Sequence, residues 1–218
     1  MNSVIFRTVL MGLGLVLAAV ALAGGSVTFD FEDVPAGKLP AGWTVEATSP
    51  RGELASWKVV TEGENHVLEV VPPEGAFGGT YNLCWTKEVR FADGEITVRL
   101  KAGTGEEDQG GGPMWRVRDR NNYYVARYNP LEHNFRVYFV KDGSRKMLAS
   151  APRIRIPSGQ WFTIRIVQHG DHIQGFLDGK KLLDVHDATF TEPGGVGLWT
   201  KADAATRFDD LAVRPEAG

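Results

Sequence analysis

Apolar residues in this chain recur at every second position. Past the N-terminal stretch, no window of about 11 residues carries the three-and-four spacing of a helix, so the body must be built from strands. Glu95 to Lys101 sets Ile96, Val98 and Leu100 against Thr97, Arg99 and Lys101. Asn134 to Val140 sets Phe135, Val137 and Phe139 against Arg136 and Tyr138, and Trp161 to Gln168 sets Phe162, Ile164 and Ile166 against Thr163 and Arg165. Ser26 to Glu32 repeats the pattern with Val27, Phe29 and Phe31. Asp93-Gly94, Asp142-Gly143 and Asp178-Gly179 are hairpin dipeptides between such runs, and Gly170-Asp171 marks another tight turn. A dozen or more short strands, each apolar on one side, predict an all-β, two-sheet antiparallel sandwich or jelly roll, with a closed barrel as the alternative. No linker or repeat interrupts residues 24–218, which are read as a single domain. The most loop-like stretch is Gly103 to Gly112.

The first residues carry an address instead of a strand. Arg7 is followed by an uncharged apolar run, Val9 to Ala23, that ends in Ala21-Leu22-Ala23. A run of about 15 residues is shorter than the ~20 that cross a bilayer as a helix. With a small-x-small ending it is read as a signal peptide over residues 1–23. Export to a bacterial periplasm or exterior is expected, with no membrane span after cleavage. The lone Cys84, between Leu83 and Trp85, is expected to be a buried, inert thiol. With 24 basic and 27 acidic residues the net charge is −3, which argues against a nucleic-acid partner.

Several segments resemble a known group. Asp30-Phe31-Glu32 with Leu39-Pro40-Ala41-Gly42-Trp43 resembles the opening of exported concanavalin A-like, laminin-G-like jelly-roll proteins. Asn121 to Asn129 resembles their central strand pair; Gly194 to Asp203, followed by Phe208-Asp209-Asp210-Leu211, resembles their closing strands. The resemblance is nearest to the 3-keto-disaccharide hydrolase domain family, with family-16 glycoside hydrolases as more distant relatives. It implies a curved sandwich able to hold a glycan on its concave sheet. The Glu-x-Asp-x-x-Glu pattern of family 16 does not occur: Glu106-Glu107-Asp108 is consecutive and lies in a glycine-rich loop, and Asp30-Phe31-Glu32 lacks a third carboxylate. Retaining hydrolysis of that type, which places its carboxylates along one strand face, is therefore not expected.

Strand parity nominates a ligand surface. Arg116 and Arg118, Arg127 and Asn129, Tyr138, and Trp199 and Lys201 fall on the side opposite the core if Val196 and Leu198 point inward. An aromatic plane among hydrogen-bond donors suits a sugar, whose ring faces stack and whose hydroxyls bond. The plainer alternative pairs these arginines with Asp119, Glu132 and Asp203. On the platform reading, Trp199→Ala weakens glycan binding without moving the melting temperature. Phe208 and Leu211 lie three apart, so both reach the core only across a bulge at Asp209-Asp210. In jelly-roll glycan proteins a structural calcium ion ties first strand to last. Glu32 with Asp209 or Asp210 are the oxygen ligands this suggests, and an arginine such as Arg207 is the alternative partner. His169-Gly170-Asp171-His172 lies on a hairpin tip without a third zinc ligand, so solvated turn residues are expected there.

Three functions follow. The first is an exported binder of a carbohydrate or glycoconjugate. The second is a glycoside hydrolase-like enzyme of the 3-keto-disaccharide type, drawing acid and base groups from Glu132, His133 or Asp203. The third is an envelope interaction module, which would show a flat apolar patch and no groove.

Overall fold

The computed structural model describes residues 25–216; the signal peptide read in residues 1–23 lies outside them. Every described element is a strand, and every pairing is antiparallel. The first sheet runs β13 (Lys180–His186), β12 (His172–Leu177), β11 (Trp161–His169), β6 (Gly94–Ala102), β15 (Thr206–Pro215), β4 (Asn65–Val71), β3 (Ser56–Glu62), with β1 (Val27–Phe29) also on β15. The second runs β10 (Ser144–Pro152), β9 (Asn134–Lys141), β8 (Asn122–Asn129), β7 (Gly112–Asp119), β14 (Gly194–Lys201), β5 (Tyr81–Phe91), β2 (Trp43–Thr48). The two sheets make the open jelly-roll sandwich that the period of two predicts.

The alternating residues named above fill the space between the sheets. Ile96, Val98, Leu100, Ile164 and Ile166 of the first sheet meet Trp115, Tyr124, Tyr128, Phe135 and Val137 of the second, all fully buried. Trp115 donates its indole N–H to Oε1 of buried Gln168 across the sandwich at 2.9 Å, so that polar pair is satisfied. Cys84 sits in this core, and burial pushes its thiol well above the ordinary range, as expected of an inert cysteine.

Turns and bulges set the register. Asp142 and Gly143 have φ of 51° and 78°, and Asp178 and Gly179 have φ of 46° and 77°, the left-handed pairs a two-residue hairpin requires. The bulge expected in the last strand is present. Asp209 pairs with Arg99 and Ala212 with Thr97, Asp210 has φ 49°, and Phe208 and Leu211 are both buried. Around this bulge β15 exchanges neighbours, from β4 at Thr206–Phe208 to β1 at Leu211–Val213.

A second bulge was not expected and changes which residues face outward. Between Trp115 and Asp119 the register of β7 against β8 shifts, with Arg116 at φ 46°. Trp115 points into the core while Val117 joins the opposite face. Arg116 leaves the predicted ligand surface altogether. It is buried, and its guanidinium donates to the carbonyls of Ala92 (2.9 Å), Gly170 (2.9 Å) and Phe190, and to Asp93 Oδ1 (3.2 Å). It clamps three loop backbones at one end of the sandwich.

Candidate functional site

The outer faces of the two sheets differ. On the first sheet, cations are matched by carboxylates: Arg99 by Asp209 and Asp210, Lys101 by Glu62, Arg165 by Glu95, Arg207 by Glu62 and Glu69. The second sheet instead buries a second apolar cluster, with Leu83, Trp85, Met114, Val117, Tyr123, Val125, Tyr138, Val140 and Trp199. Among the described residues no strand lies across this face, so these side chains are buried against one another.

Arg145 of the edge strand β10 measures that curl. Its guanidinium carbon lies 4.4 Å from the Tyr138 ring centre, 5.6 Å from that of Trp199 and 4.9 Å from that of Tyr81. In a flat sheet at about 4.8 Å per strand, β14 would be about 19 Å and β5 about 24 Å from β10. Only a strongly concave sheet lets one arginine touch all three. Thr48 of β2, four strands away from β8, likewise hydrogen-bonds the Tyr123 hydroxyl at 2.9 Å. The result is a trough walled by the edge strands β10 and β2. Its centre holds the rings of Tyr81, Tyr138 and Trp199 under the Arg145 guanidinium, Tyr81 and Trp199 tilted at 41° to each other.

Five of the seven predicted ligand residues meet here: Arg127, Asn129, Tyr138, Trp199 and Lys201. All but Trp199, whose indole N–H goes to Tyr123, belong to one bonded network. Lys201 pairs with Asp108 at 2.9 Å, and Asp108 accepts from Asn129. Asn129 accepts the N–H of Leu131 and Glu132. Glu132 takes Arg127 at 2.6 Å and Arg136 at 2.8 Å, and Arg127 also donates to Tyr138 at 3.2 Å. The pairing of arginines with Glu132 was the plainer alternative, and it holds for Arg127 and Arg136. Arg118 lies apart, exposed, 5.0 Å over the Phe190 ring. Trp199 needs a correction: at 1% exposure its ring is a packed part of the trough floor, so the expectation of an unchanged melting temperature on truncation does not stand.

The acid/base candidates are occupied or elsewhere. Partial burial opposes ionisation of Glu132, but its bonds from Arg127 and Asn134, with the charge of Arg136, outweigh burial and hold it at about 2. A carboxylate so held does not donate a proton near neutrality. Asp203 accepts the backbone N–H groups of Glu106, Glu107 and Asp108, pinning the Gly103–Gly112 loop, and these donors overcome burial to lower its pKa. His133 is exposed at a separate depression with Leu131 and Arg155. Both carboxylates are depressed in the folded chain. Their contribution to stability is full above the unfolded value, 4.5 for Glu132, and is lost as pH falls toward about 2. We expect the melting temperature to fall between pH 5 and 2, and Glu132→Gln to show a shallower fall; equal slopes would remove Glu132 from this account.

The proposed calcium ligands do not assemble. Glu32 is exposed and accepts the His66 N–H at 3.2 Å. Asp209 is buried and takes Asn65 at 2.9 Å, while Asp210 takes Arg99 at 3.0 Å. Burial, with the charge of Asp210, raises the Asp209 pKa. The balancing cation is Arg99; Arg207 pairs with Glu62 and Glu69 instead. Among the described residues no group of three or more His, Cys, Asp or Glu side chains has metal-ligating geometry, so these residues do not fit a calcium cage. His169 and His172 turn to different partners, Glu216 and Asp184.

Sequence reasoning missed Arg145, Tyr81 and Glu46, which accepts the Trp85 indole N–H at 2.9 Å. The only local signal was parity: Arg145 pairs with Val140 across the Asp142-Gly143 hairpin and therefore shares its face.

Solved structures with this architecture include carbohydrate-binding proteins. The carbohydrate-binding module CBM66 from Bacillus subtilis has a TM-score of 0.61 at 19% identity, covering 78% of this chain and 93% of its own. The β-glucanase of Bacillus licheniformis has a TM-score of 0.60 at 9% identity, covering 89% and 100%. The carbohydrate recognition domain of Emp47p has a TM-score of 0.53 at 16% identity, covering 88% and 95%. At these identities the likeness is one of fold. No curated protein sequence matches the chain. The sequence pattern of the 3-keto-alpha-glucoside-1,2-lyase-like domain matches residues 27–214, from the first strand to the last. That match spans nearly all of the described residues, and the chain belongs to that domain family.

Proposed function

We propose that the protein binds a carbohydrate in the trough of its second sheet, outside the cytoplasm, without cleaving it. The observation that carries this is Arg145: Nη1 of its guanidinium is buried yet has no hydrogen-bond partner. A buried N–H left unpaired is unfavourable by itself, and a sugar hydroxyl or carboxylate placed there relieves it. Half-buried Tyr81 and Glu46 lie on the same face, offering a ring and a carboxylate acceptor to a pyranose. The location rests on the leader read in residues 1–23. The lack of cleavage rests on the engaged state of Glu132 and Asp203.

Arg145→Ala is expected to weaken binding of any glycan found on an array by at least about tenfold, the loss of a charge-assisted contact. Titration calorimetry on that glycan checks this, and undiminished affinity would move the site elsewhere. A second reading is favoured by the family match, whose description names a lyase-like activity. Incubating the array hit with the protein and looking for product separates the two: a product establishes the enzyme, and intact glycan with retained affinity establishes the binder.

A further inference from the structure

We infer that the trough recognises an acidic saccharide, one bearing carboxylate or sulfate groups; this rests on the carbohydrate-binding reading above. The argument is the distribution of unmatched charge. In a chain of net charge −3, most cations on the first sheet's outer face, Arg99, Lys101, Arg165 and Arg207 among them, are paired with carboxylates, Lys58 and Lys180 excepted. On the trough side, Lys87, Arg90, Arg118 and Arg145 form no ion pair among the described residues, whose pairs within 4.0 Å lie elsewhere.

Three of these cations surround one depression. Lys87, Arg90 and Arg118 line an open cavity of about 370 Å³ with Val117 of the trough cluster in its wall and Glu192 as its one acidic member. Arg90 is held in place by the Pro193 carbonyl, and Lys87 sits 5.1 Å over the Trp85 ring, beside Leu83 in the trough floor. Arg145 stands further along the trough, with its own unpaired N–H. Positive groups fixed along a concave apolar surface focus field outward, where it acts on an anion in solution. A neutral glycan would leave these four cations with the carboxylates of Glu192 and Glu46 on the same face, whereas an acidic one meets them with ion pairs and, at the arginines, hydrogen bonds from guanidinium forks.

The test is calorimetric titration of the full chain with an oligogalacturonate, a chondroitin sulfate oligosaccharide and a cello-oligosaccharide of matched length. At least one acidic ligand is expected to bind roughly tenfold or more tightly than the neutral one, and to weaken as salt rises from about 50 to about 500 mM. Which acidic ligand wins distinguishes carboxylate from sulfate. The double variant Lys87→Ala/Arg118→Ala is expected to lower acidic affinity about tenfold at unchanged melting temperature, since both side chains are exposed. Equal or tighter binding of the neutral ligand overturns the acidic class while leaving the carbohydrate reading in place. Full acidic affinity in the double variant overturns the placement in this depression. No binding by any oligosaccharide, here or on an array, overturns both.

Discussion

Arg116→Met is expected to lower the melting temperature by about 10 °C, the loss of about 4 kcal/mol in a domain of this size. The side chain is 1% exposed and serves three backbone carbonyls and a carboxylate at once. Methionine fills much of the volume but donates nothing. It leaves the Ala92 and Phe190 carbonyls without this donor at the sandwich's end, and the exposed Gly170 carbonyl with Gln168 alone; each buried acceptor left unpaired costs about 1–3 kcal/mol where water does not replace the lost bond. Arg116→Lys is expected to recover only part of the loss, because one ammonium cannot reproduce a planar fork that reaches separate loops. Thermal melting of the two variants checks this; a wild-type curve for Arg116→Met would mean that water satisfies these carbonyls.

Trp199→Ala is the second large effect. The indole is almost fully buried, lies 5.3 Å from the Tyr81 ring and donates to the Tyr123 hydroxyl at 3.2 Å. Truncation is expected to destabilise by about 3–5 kcal/mol through the lost contacts and the cavity left behind. It also removes one of the three rings on which Arg145 rests, so binding falls together with stability. Trp199→Phe separates the two: it keeps an aromatic floor, loses the bond to Tyr123, and is expected to retain most of the glycan affinity at a moderately lowered melting temperature. Urea unfolding and titration on the same samples give both quantities; Trp199→Ala folded as firmly as the wild type would contradict the burial described above.

Much of the sandwich was legible because one face of most strands is apolar and the other charged, as along Glu95–Lys101. The bulge at Asp209-Asp210 was legible for the same reason: Phe208 and Leu211 cannot both be inward without it. The second sheet is harder. Both of its faces are buried, so Tyr123 and Tyr124, or Leu198 and Trp199, look alike to any rule that separates inside from outside by polarity. The bulge at Arg116 left no sign, since an arginine at φ 46° is no marker of a turn and either parity accommodates Trp115 and Val117. The site depends on curvature, a property of seven strands together that no local spacing carries. Parity alone put Tyr138 and Trp199 on the outer face, but it had no means of bringing an edge arginine onto rings several strands distant. Charge partners were half legible: Glu132 was available to Arg127 by proximity in sequence, whereas Arg99 found Asp210 only through the register of β6 with β15.

The exchange of neighbours along β15 has a further bearing on how the molecule meets its surroundings. Val27 pairs with Val213, so polypeptide entering at β1 and polypeptide leaving β15 depart side by side, from the layer that does not bear the trough. Anything attached at either terminus therefore joins the molecule at the same end of the first sheet. A tether at one terminus would lie beside the other, on strands that take no part in the concave face.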